Sequence, residues 1–360
     1  MDRDVYVRLA ERLDAIPNGF PRTASGVELR LLAKIFTPEE ATLAAEMRLR
    51  PEPAAAIAAR VGAEPRAAQR MLKQMARRGL IVARRGSGEL VFGLMPFVVG
   101  VYEEQLPRLD REMALLFEQY LQESRGGPII GAAPAIQRVI PVEEAIPVTL
   151  EVFPYESASS LLEQAKSWAV RDCICRTQQH LLGKGCDRPL SVCISFAPVE
   201  NVFTDDGTTR PVSKEDALHL LHEAEEAGLV HTLGNHRGQH YYICNCCACC
   251  CGVLRGVAEF SVPTAIAHSD FRSAVDAAIC TGCGACLERC QFGALSLNEQ
   301  ICQVDAIRCV GCGLCVSACG AGALRLERRP AGETPPVPAS HLEWLVERAR
   351  ARDIRLEDIL

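Results

Sequence analysis

Aromatic residues are scarce in this chain, at 5% of 360 positions with two tryptophans. That leaves little for the rows of stacking side chains that hold single-stranded nucleic acid. Long apolar runs are missing as well. The longest, LVFGLMPFVVGVY from Leu90 to Tyr102, falls short of the roughly 18 consecutive apolar residues of a membrane span, so no membrane insertion is expected. The opening residues, MDRDVYVRLAERLDAIPNGF, lack a cationic lead followed by an apolar run, which argues against a secretory signal. A cytoplasmic location is therefore expected. Neither G-x-G-x-x-G nor G-x4-G-K-[ST] occurs, and GKG at Gly183 lacks the spacing of a phosphate loop, so nothing supports a nucleotide or flavin site. No nucleophile–base constellation stands out either.

Cysteine is what the chain has in excess. There are 19, an odd number that fits poorly with a purely disulfide framework, and they fall in patches. In a reducing compartment, clustered thiols point to metal or redox chemistry. Hydrophobic content of 48% is enough for ordinary cores, and the length suggests two or three domains.

The strongest signal is a repeat. CTGCGACLERCQFGAL begins at Cys280 and CVGCGLCVSACGAGAL at Cys309, and every cysteine recurs 29 residues on. Each half reads C-x2-C-x2-C-x3-C, with Ala294-Leu295 matched by Ala323-Leu324. Gly282, Gly284, Gly311 and Gly313 permit the tight curl and close N–H approach that wrapping a cubane requires. About Ala265 to Arg328, the chain resembles a bacterial two-cluster [4Fe-4S] ferredoxin domain. In that family the fourth cysteine of each run ligates the other cluster. The resemblance implies one cluster on Cys280, Cys283, Cys286 and Cys319, and a second on Cys309, Cys312, Cys315 and Cys290. The family usually places proline after each fourth cysteine, where Gln291 and Gly320 stand here. Cys302, between the repeats, reads as a buried structural thiol.

Ten cysteines remain: Cys173, Cys175, Cys186, Cys193, Cys244, Cys246, Cys247, Cys249, Cys250 and Cys251. Six of them crowd into eight residues of YYICNCCACCCG. They flank what reads as a small α/β fold. SASSLLEQAKSWAV suggests a helix opened by a Ser160-x-x-Glu163 capping box. RPLSVCISFAP reads as a strand, SKEDALHLLHEAEEAGLVH as a helix opened by Ser213 and Asp216, and HYYICN as a further strand. Four soft thiolates hold one cubane, so ten could serve one site with spares, or two. Adjacent side chains diverge in extended backbone, so neighbours in the CC and CCC steps are expected to serve different sites. One or two additional Fe–S clusters are expected here; zinc, or a thiol redox or substrate-handling site, is the alternative. His180 and His240 read as surface or capping histidines near the thiols. Arg171 and Arg176 are candidates to offset thiolate charge, or are solvated surface. The whole arrangement is similar to uncharacterised ferredoxin-like proteins of anaerobic metabolism that carry a Cys-rich module before the dicluster domain.

A net charge of −6 hides a basic segment: between Arg50 and Leu90 there are nine basic residues against three acidic. PAAAIAARVGAEPRAAQRMLKQMARRGLIVARRGSGELVFGL suggests a helix, a turn at Gly62, a second helix, then a hairpin through Gly86-Ser87-Gly88. Ala68, Met71, Leu72 and Met75 mark a core stripe. Arg66, Arg70, Lys73 and Arg77 lie on another face. About Thr37 to Leu94, the segment resembles the winged helix-turn-helix of bacterial regulators. That resemblance implies a groove helix carrying those four residues and a wing whose Arg84 and Arg85 meet phosphates; winged helices also serve as protein-docking modules. EEQLPRLDREMALLFEQYLQE reads as a helix that pairs subunits in a homodimer or packs on the core.

These readings give a multidomain α+β chain. A winged-helix domain with flanking helices spans 1–125, an α/β Cys-rich domain with an extra Fe–S site 126–264, and a dicluster ferredoxin domain 265–328. A Pro-rich linker and C-terminal helix, opened by Ser340-x-x-Glu343 and docked through Leu342, Leu345, Val346 and Ala349, spans 329–360. The expected role is single-electron transfer, as a carrier or as a subunit of a larger anaerobic oxidoreductase, with a redox protein as partner. An Fe–S-dependent, winged-helix DNA-binding regulator is the main alternative. A reductase whose central cysteines meet substrate is a third.

Overall fold

Glycine and capping side chains punctuate the N-terminal third into short helices. The computed structural model describes residues 3–86 and 88–358 and divides into two units, Met1–Ala133 with Leu345–Leu360, and Pro134–Trp344. In the first unit, Thr37 and Glu40 form a reciprocal capping box that opens the helix Pro38–Ala45. Strand β1 (Glu52–Pro53) leads into the helix Ala54–Val61, which stops at Gly62, whose φ of 67° favours glycine. The Glu64 carboxylate accepts from the Arg66 and Ala67 N–H groups and opens the helix Pro65–Arg77. Ala68, Leu72 and Met75 are buried and Met71 is half-buried, so the apolar stripe faces inward. β2 (Ile81–Arg85) and β3 (Leu90–Leu94) pair antiparallel in a sheet ordered β1-β3-β2. Ser87, at the tip of the expected hairpin, lies outside the described residues.

The stretch from Glu103 onward differs from the single helix expected. A 3-10 turn, Glu103–Arg108, contains Pro107, and a separate helix, Arg111–Ser124, starts at Asp110, whose carboxylate accepts from Met113 N–H. Proline and an Asx cap together break the run. Met113, Phe117, Tyr120 and Leu121 are buried within this unit. The C-terminal helix, His341–Ala351, also differs: Leu342 is exposed, and the buried positions are Trp344, Arg348 and Ala349. Arg348 donates to the carbonyl oxygens of Pro17, Pro128, Ile129 and Ala132. A charged residue so deeply placed was not legible as an anchor.

The second unit is built on one six-stranded sheet of β4 (Gln137–Ile140), β5 (Ser167–Asp172), β6 (Ser191–Ala197), β7 (Thr209–Val212), β8 (Val230–Gly234) and β9 (Tyr242–Cys246). Its order is β4-β8-β9-β6-β5-β7, and every pairing is antiparallel. The helix Ala158–Glu163 is opened by Ser157, which accepts from Ser160 N–H, rather than by Ser160. SWAVRD forms β5 instead of continuing that helix, because Ala169 and Val170 go into the sheet core. The helix Lys214–Glu226 carries the Ser213/Asp216 capping box and packs Ala217 and Leu221 against Ile194, Phe196 and Ile243.

Strand direction decides what gathers at the end of this sheet. Arg171 of β5 opposes Cys193 of β6, and Ile194 opposes Ile243 of β9. The ends of β5 and β9 and the start of β6 therefore share one edge, which collects every central cysteine. The last part of the unit pairs β10 (Phe271–Val275) with β13 (Leu324–Arg328), and β11 (Leu295–Asn298) with β12 (Ile301–Val304). Short helices, Ala285–Arg289 and Leu314–Ser317, sit inside the two cysteine runs. Among the described residues, no helix is long and apolar enough to cross a membrane.

Candidate metal centres

The two C-terminal runs curl in the same way. Gly282 and Gly311 have φ of 67° and 73°, and a Cβ on them would lie 2.4 Å from Gln300 O and 2.0 Å from Phe271 O. Glycine is required at both. The curl brings Cys280, Cys283, Cys286 and Cys319 around one small cavity, and Cys302 lines it too. Cys286 Sγ and Cys302 Sγ are 3.6 Å apart, and Cys302 N–H points at Cys280 Sγ at 3.4 Å. Burial, then Cys286, pushes the Cys302 thiol up to about 12. Cys290, Cys309 and Cys315 all lie within electrostatic reach of Cys312. Burial pushes Cys312 well up and Cys315 up to about 12. The Ala-Leu pairs of the repeat have a matching role: Ala294 N–H donates to Cys290 Sγ at 3.4 Å and Ala323 N–H to Cys319 Sγ at 3.3 Å.

The ten central cysteines separate into two sets. Cys186, Cys247, Cys249 and Cys250 bring all four sulfurs within 4.8 Å of one another. Individual separations are 3.9 Å for Cys186–Cys247 and 3.8 Å for Cys186–Cys250 and Cys249–Cys250. Four thiolates around a single ion with bonds of about 2.3 Å form a tetrahedron with edges of about 3.8 Å. The spacing is that of one ion, since a cubane puts each terminal thiolate on a different iron and spreads them further. Cys249 is exposed and the other three are buried or half-buried.

The other six are coupled electrostatically as a second set. Cys173 feels the thiols of Cys175 and Cys193, Cys244 those of Cys193 and Cys246, and Cys251 those of Cys246 and Cys175. Thiol character alternates across the set. Cys173, Cys251 and Cys244 are drawn down, Cys244 to about 5, each mainly by the two sulfurs that donate to it. Cys175, Cys193 and Cys246 are pushed well up by donating and by burial. The steps 246–247 and 250–251 each send adjacent cysteines to different sets, whereas Cys249 and Cys250 share one.

Residues 279–323 match the family model for a 4Fe-4S dicluster domain. This is an iron–sulfur protein. No curated protein and no solved structure matches the chain. The residues present fit the clusters such a domain holds: paired sets of thiols, N–H groups aimed at sulfur, and a cavity bounded by cysteine.

The dicluster domain is fastened to the Cys-rich loop through the residue that stands in place of proline. Gln291 Oε1 accepts from Ala248 N–H at 2.7 Å, and Gln291 Nε2 donates to Gly228 O at 2.5 Å. Ala248 lies between Cys247 and Cys249, and Gln291 follows Cys290. Arg176 is fully buried and donates to Asn245 O at 3.1 Å and to Cys247 Sγ at 3.7 Å. Burial alone would lower its affinity for a proton; the Cys173 and Cys247 thiolates more than offset this, and the net shift is upward. Arg176 thus neutralises thiolate charge between the two sets. Arg171 sits half-buried on β5 within electrostatic reach of Asp206.

His180 Nε2 meets Cys186 O at 2.9 Å, and His240 Nε2 meets His236 O at 3.0 Å, so each ring nitrogen engages backbone. Four contacts were not legible in the sequence. Arg188 Nη1 donates to Cys249 Sγ at 3.7 Å, Gln137 Nε2 to Cys244 Sγ at 3.9 Å, and Thr232 Oγ1 meets Cys246 Sγ at 3.6 Å. Gln291 is the fourth; its only sequence signal was the missing proline. In the first unit, Arg66, Arg70, Lys73, Arg77, Arg84 and Arg85 are all exposed. Arg60 and Arg78, by contrast, pair with Glu52 and Glu40.

Proposed function

We propose that this protein passes single electrons between the dicluster domain and metal held by the central cysteines, as a carrier or as the electron-transfer subunit of a larger anaerobic oxidoreductase. Iron–sulfur electron transfer is what a 4Fe-4S dicluster domain performs. The observation that supports extending the path inward is the Ala248–Gln291 hydrogen bond, which joins the backbone between Cys247 and Cys249 to the side chain of the residue after Cys290. In this reading Cys280, Cys283, Cys286 and Cys319 hold one [4Fe-4S] cluster, and Cys309, Cys312, Cys315 and Cys290 the other. The Cys186 tetrad takes a single ion, zinc or iron, and the set of six takes the further Fe–S site.

The test is an anaerobic redox titration of freshly purified protein followed by EPR, with iron, sulfide and zinc counted in the same sample. Stepwise reduction of more than about eight irons supports the extended path. A count of about eight, all lost when Cys283 and Cys312 become serine, would confine electron transfer to the dicluster domain.

A second reading has one specific observation in its favour. The exposed basic face of the helix Pro65–Arg77, with Arg84 and Arg85 on the neighbouring hairpin, has the form of a winged-helix DNA surface. It makes the chain an Fe–S-dependent regulator. Steep salt-dependent binding to its own promoter region would favour it.

A further inference from the structure

The 29-residue period of the cysteine runs extends beyond them into the neighbouring strands. Ser273 of β10 and Cys302 of β12 stand one period apart, each seven residues before its run. Their strand partners are one period apart as well: Ser273 opposes Leu326 of β13, and Cys302 opposes Leu297 of β11. Both side chains are buried, and each reaches the third cysteine of the other run. Ser273 Oγ lies 3.0 Å from Cys315 Sγ, and Cys302 Sγ lies 3.6 Å from Cys286 Sγ. The repeat therefore places a side-chain donor at the same point of each ligand set, a hydroxyl at one and a thiol at the other.

A cysteine that ligates iron carries no proton, so the hydrogen in each contact belongs to Ser273 or to Cys302. Cys302 also stands too close to Cys286 for both to be outer thiolates on different irons of one cubane, which leaves it as a donor. A hydrogen bond to a ligating sulfur stabilises the more negative, reduced cluster and raises its potential. A hydroxyl does this more strongly than a thiol, which is a weak donor. The two ligand sets differ in burial too. Cys283 is exposed, whereas Cys309 and Cys315 are buried and Cys290 and Cys312 half-buried. Burial disfavours added charge and so lowers the potential of the second set. The stronger donor stands at that set. We infer that Ser273 and Cys302 set the balance of potential between the two clusters, with Ser273 offsetting the deeper burial of its own. Both are positioning residues that act through a ligating sulfur. The inference rests on the ligand assignment of the proposed function and adds what tunes the two clusters toward each other.

The experiment uses the full chain, purified anaerobically, with Ser273→Ala, Ser273→Thr, Ser273→Cys, Cys302→Ala and Cys302→Ser. Iron and sulfide per chain report cluster occupancy. EPR-monitored titrations give the potentials, and the paramagnetically shifted NMR signals of cysteine β-protons assign each potential to a cluster. Ser273→Ala is expected to make reduction of the cluster on Cys290, Cys309, Cys312 and Cys315 about tenfold less favourable, equivalent to about 59 mV for one electron, and to leave the other cluster unmoved. Ser273→Thr keeps the hydroxyl and restores the potential, and Ser273→Cys falls between. Cys302→Ser moves the other cluster up, and Cys302→Ala moves it down by less than Ser273→Ala moves its own.

Unchanged potentials in alanine variants that keep full iron would overturn the inference. Equal shifts of both clusters in any one variant would overturn it too, since they mark a general change in solvent access. Loss of about four irons from Cys302→Ala, recovered in Cys302→Ser, would make Cys302 a ligand and overturn its role as donor. If Ser273→Ala loses its cluster, the comparison of Ser273→Cys with Ser273→Thr decides, and equal potentials in that pair count against the inference. Alkylation by iodoacetamide of the eight dicluster thiols in the wild-type protein as purified would instead sink the ligand assignment on which the inference rests.

Discussion

A thiol held in an apolar pocket resists ionisation unless a cation balances the charge, and Cys312 and Cys315 show the conflict most clearly. Burial pushes both well above the ordinary thiol range. Iron reverses this, because a coordinating thiol is deprotonated outright. Cys312→Ser is accordingly expected to lose the cluster shared with Cys290, removing about half of the dicluster EPR signal. Full signal in that variant would show the ligand assignment to be wrong. Glu225 offers a separate test. Its carboxyl is raised to about 7, first by burial and then by Glu144, and its Oε1 has no hydrogen-bond partner among the described residues. A carboxyl with a raised folded pKa holds its proton where the unfolded chain has lost it. Stability therefore falls as pH rises from about 4.5 to about 7. Glu225→Gln is expected to raise Tm by a few degrees at pH 8 and hardly at all at pH 5. Equal shifts at both values would remove the carboxyl as the cause.

At the scale of elements, the Cys-rich loop is held by its neighbours as much as by its own thiols. Gln291 satisfies Ala248 N–H and Gly228 O together, across the join between β9's loop and the dicluster domain. Gln291→Ala leaves both backbone groups without that partner. About 1 kcal/mol for one net hydrogen bond predicts that an ion held by the Cys186 tetrad is released to a chelator about fivefold faster. An unchanged rate would mean that the loop is held by the metal alone. The helix Pro65–Arg77 is tested differently. Reversing Arg70 and Lys73 to glutamate is expected to abolish any DNA affinity and to leave the fold intact, since both are exposed. A measurable affinity unaffected by the change would assign this face to another role.

For the whole molecule, the division into two units makes independent melting a natural expectation, and Arg348 is the residue that tests it. Its buried guanidinium meets four backbone carbonyls of the first unit, and burial lowers it to about 9. Arg348→Ala removes donors from all four. A loss of about 3 kcal/mol or more is expected, confined to the first unit. Calorimetry should show one transition moved to lower temperature, with the cluster absorption bleaching at its wild-type temperature. A common shift of both would mean that the units unfold together.

The dicluster repeat was legible because its chemistry is local. Three thiolates within seven residues, with glycine between them, wrap one face of a cubane whatever surrounds them. The strand RPLSVCISFAP and the Ser213 cap were readable for the same reason, through alternation and capping within a few residues. The divergence of neighbours at 246–247 and 250–251 also followed from local backbone geometry. What the sequence could not supply was the membership of the two central sets. Cys173, Cys175 and Cys193 join Cys244, Cys246 and Cys251 only because antiparallel pairing brings the ends of β5 and β9 and the start of β6 to one edge. Cys186 arrives there from the loop that precedes β6 and selects Cys247, Cys249 and Cys250. The kinds of atoms that bind metal were written in the chain, but their grouping depended on contacts between residues far apart in sequence. Only the folded sheet supplies those.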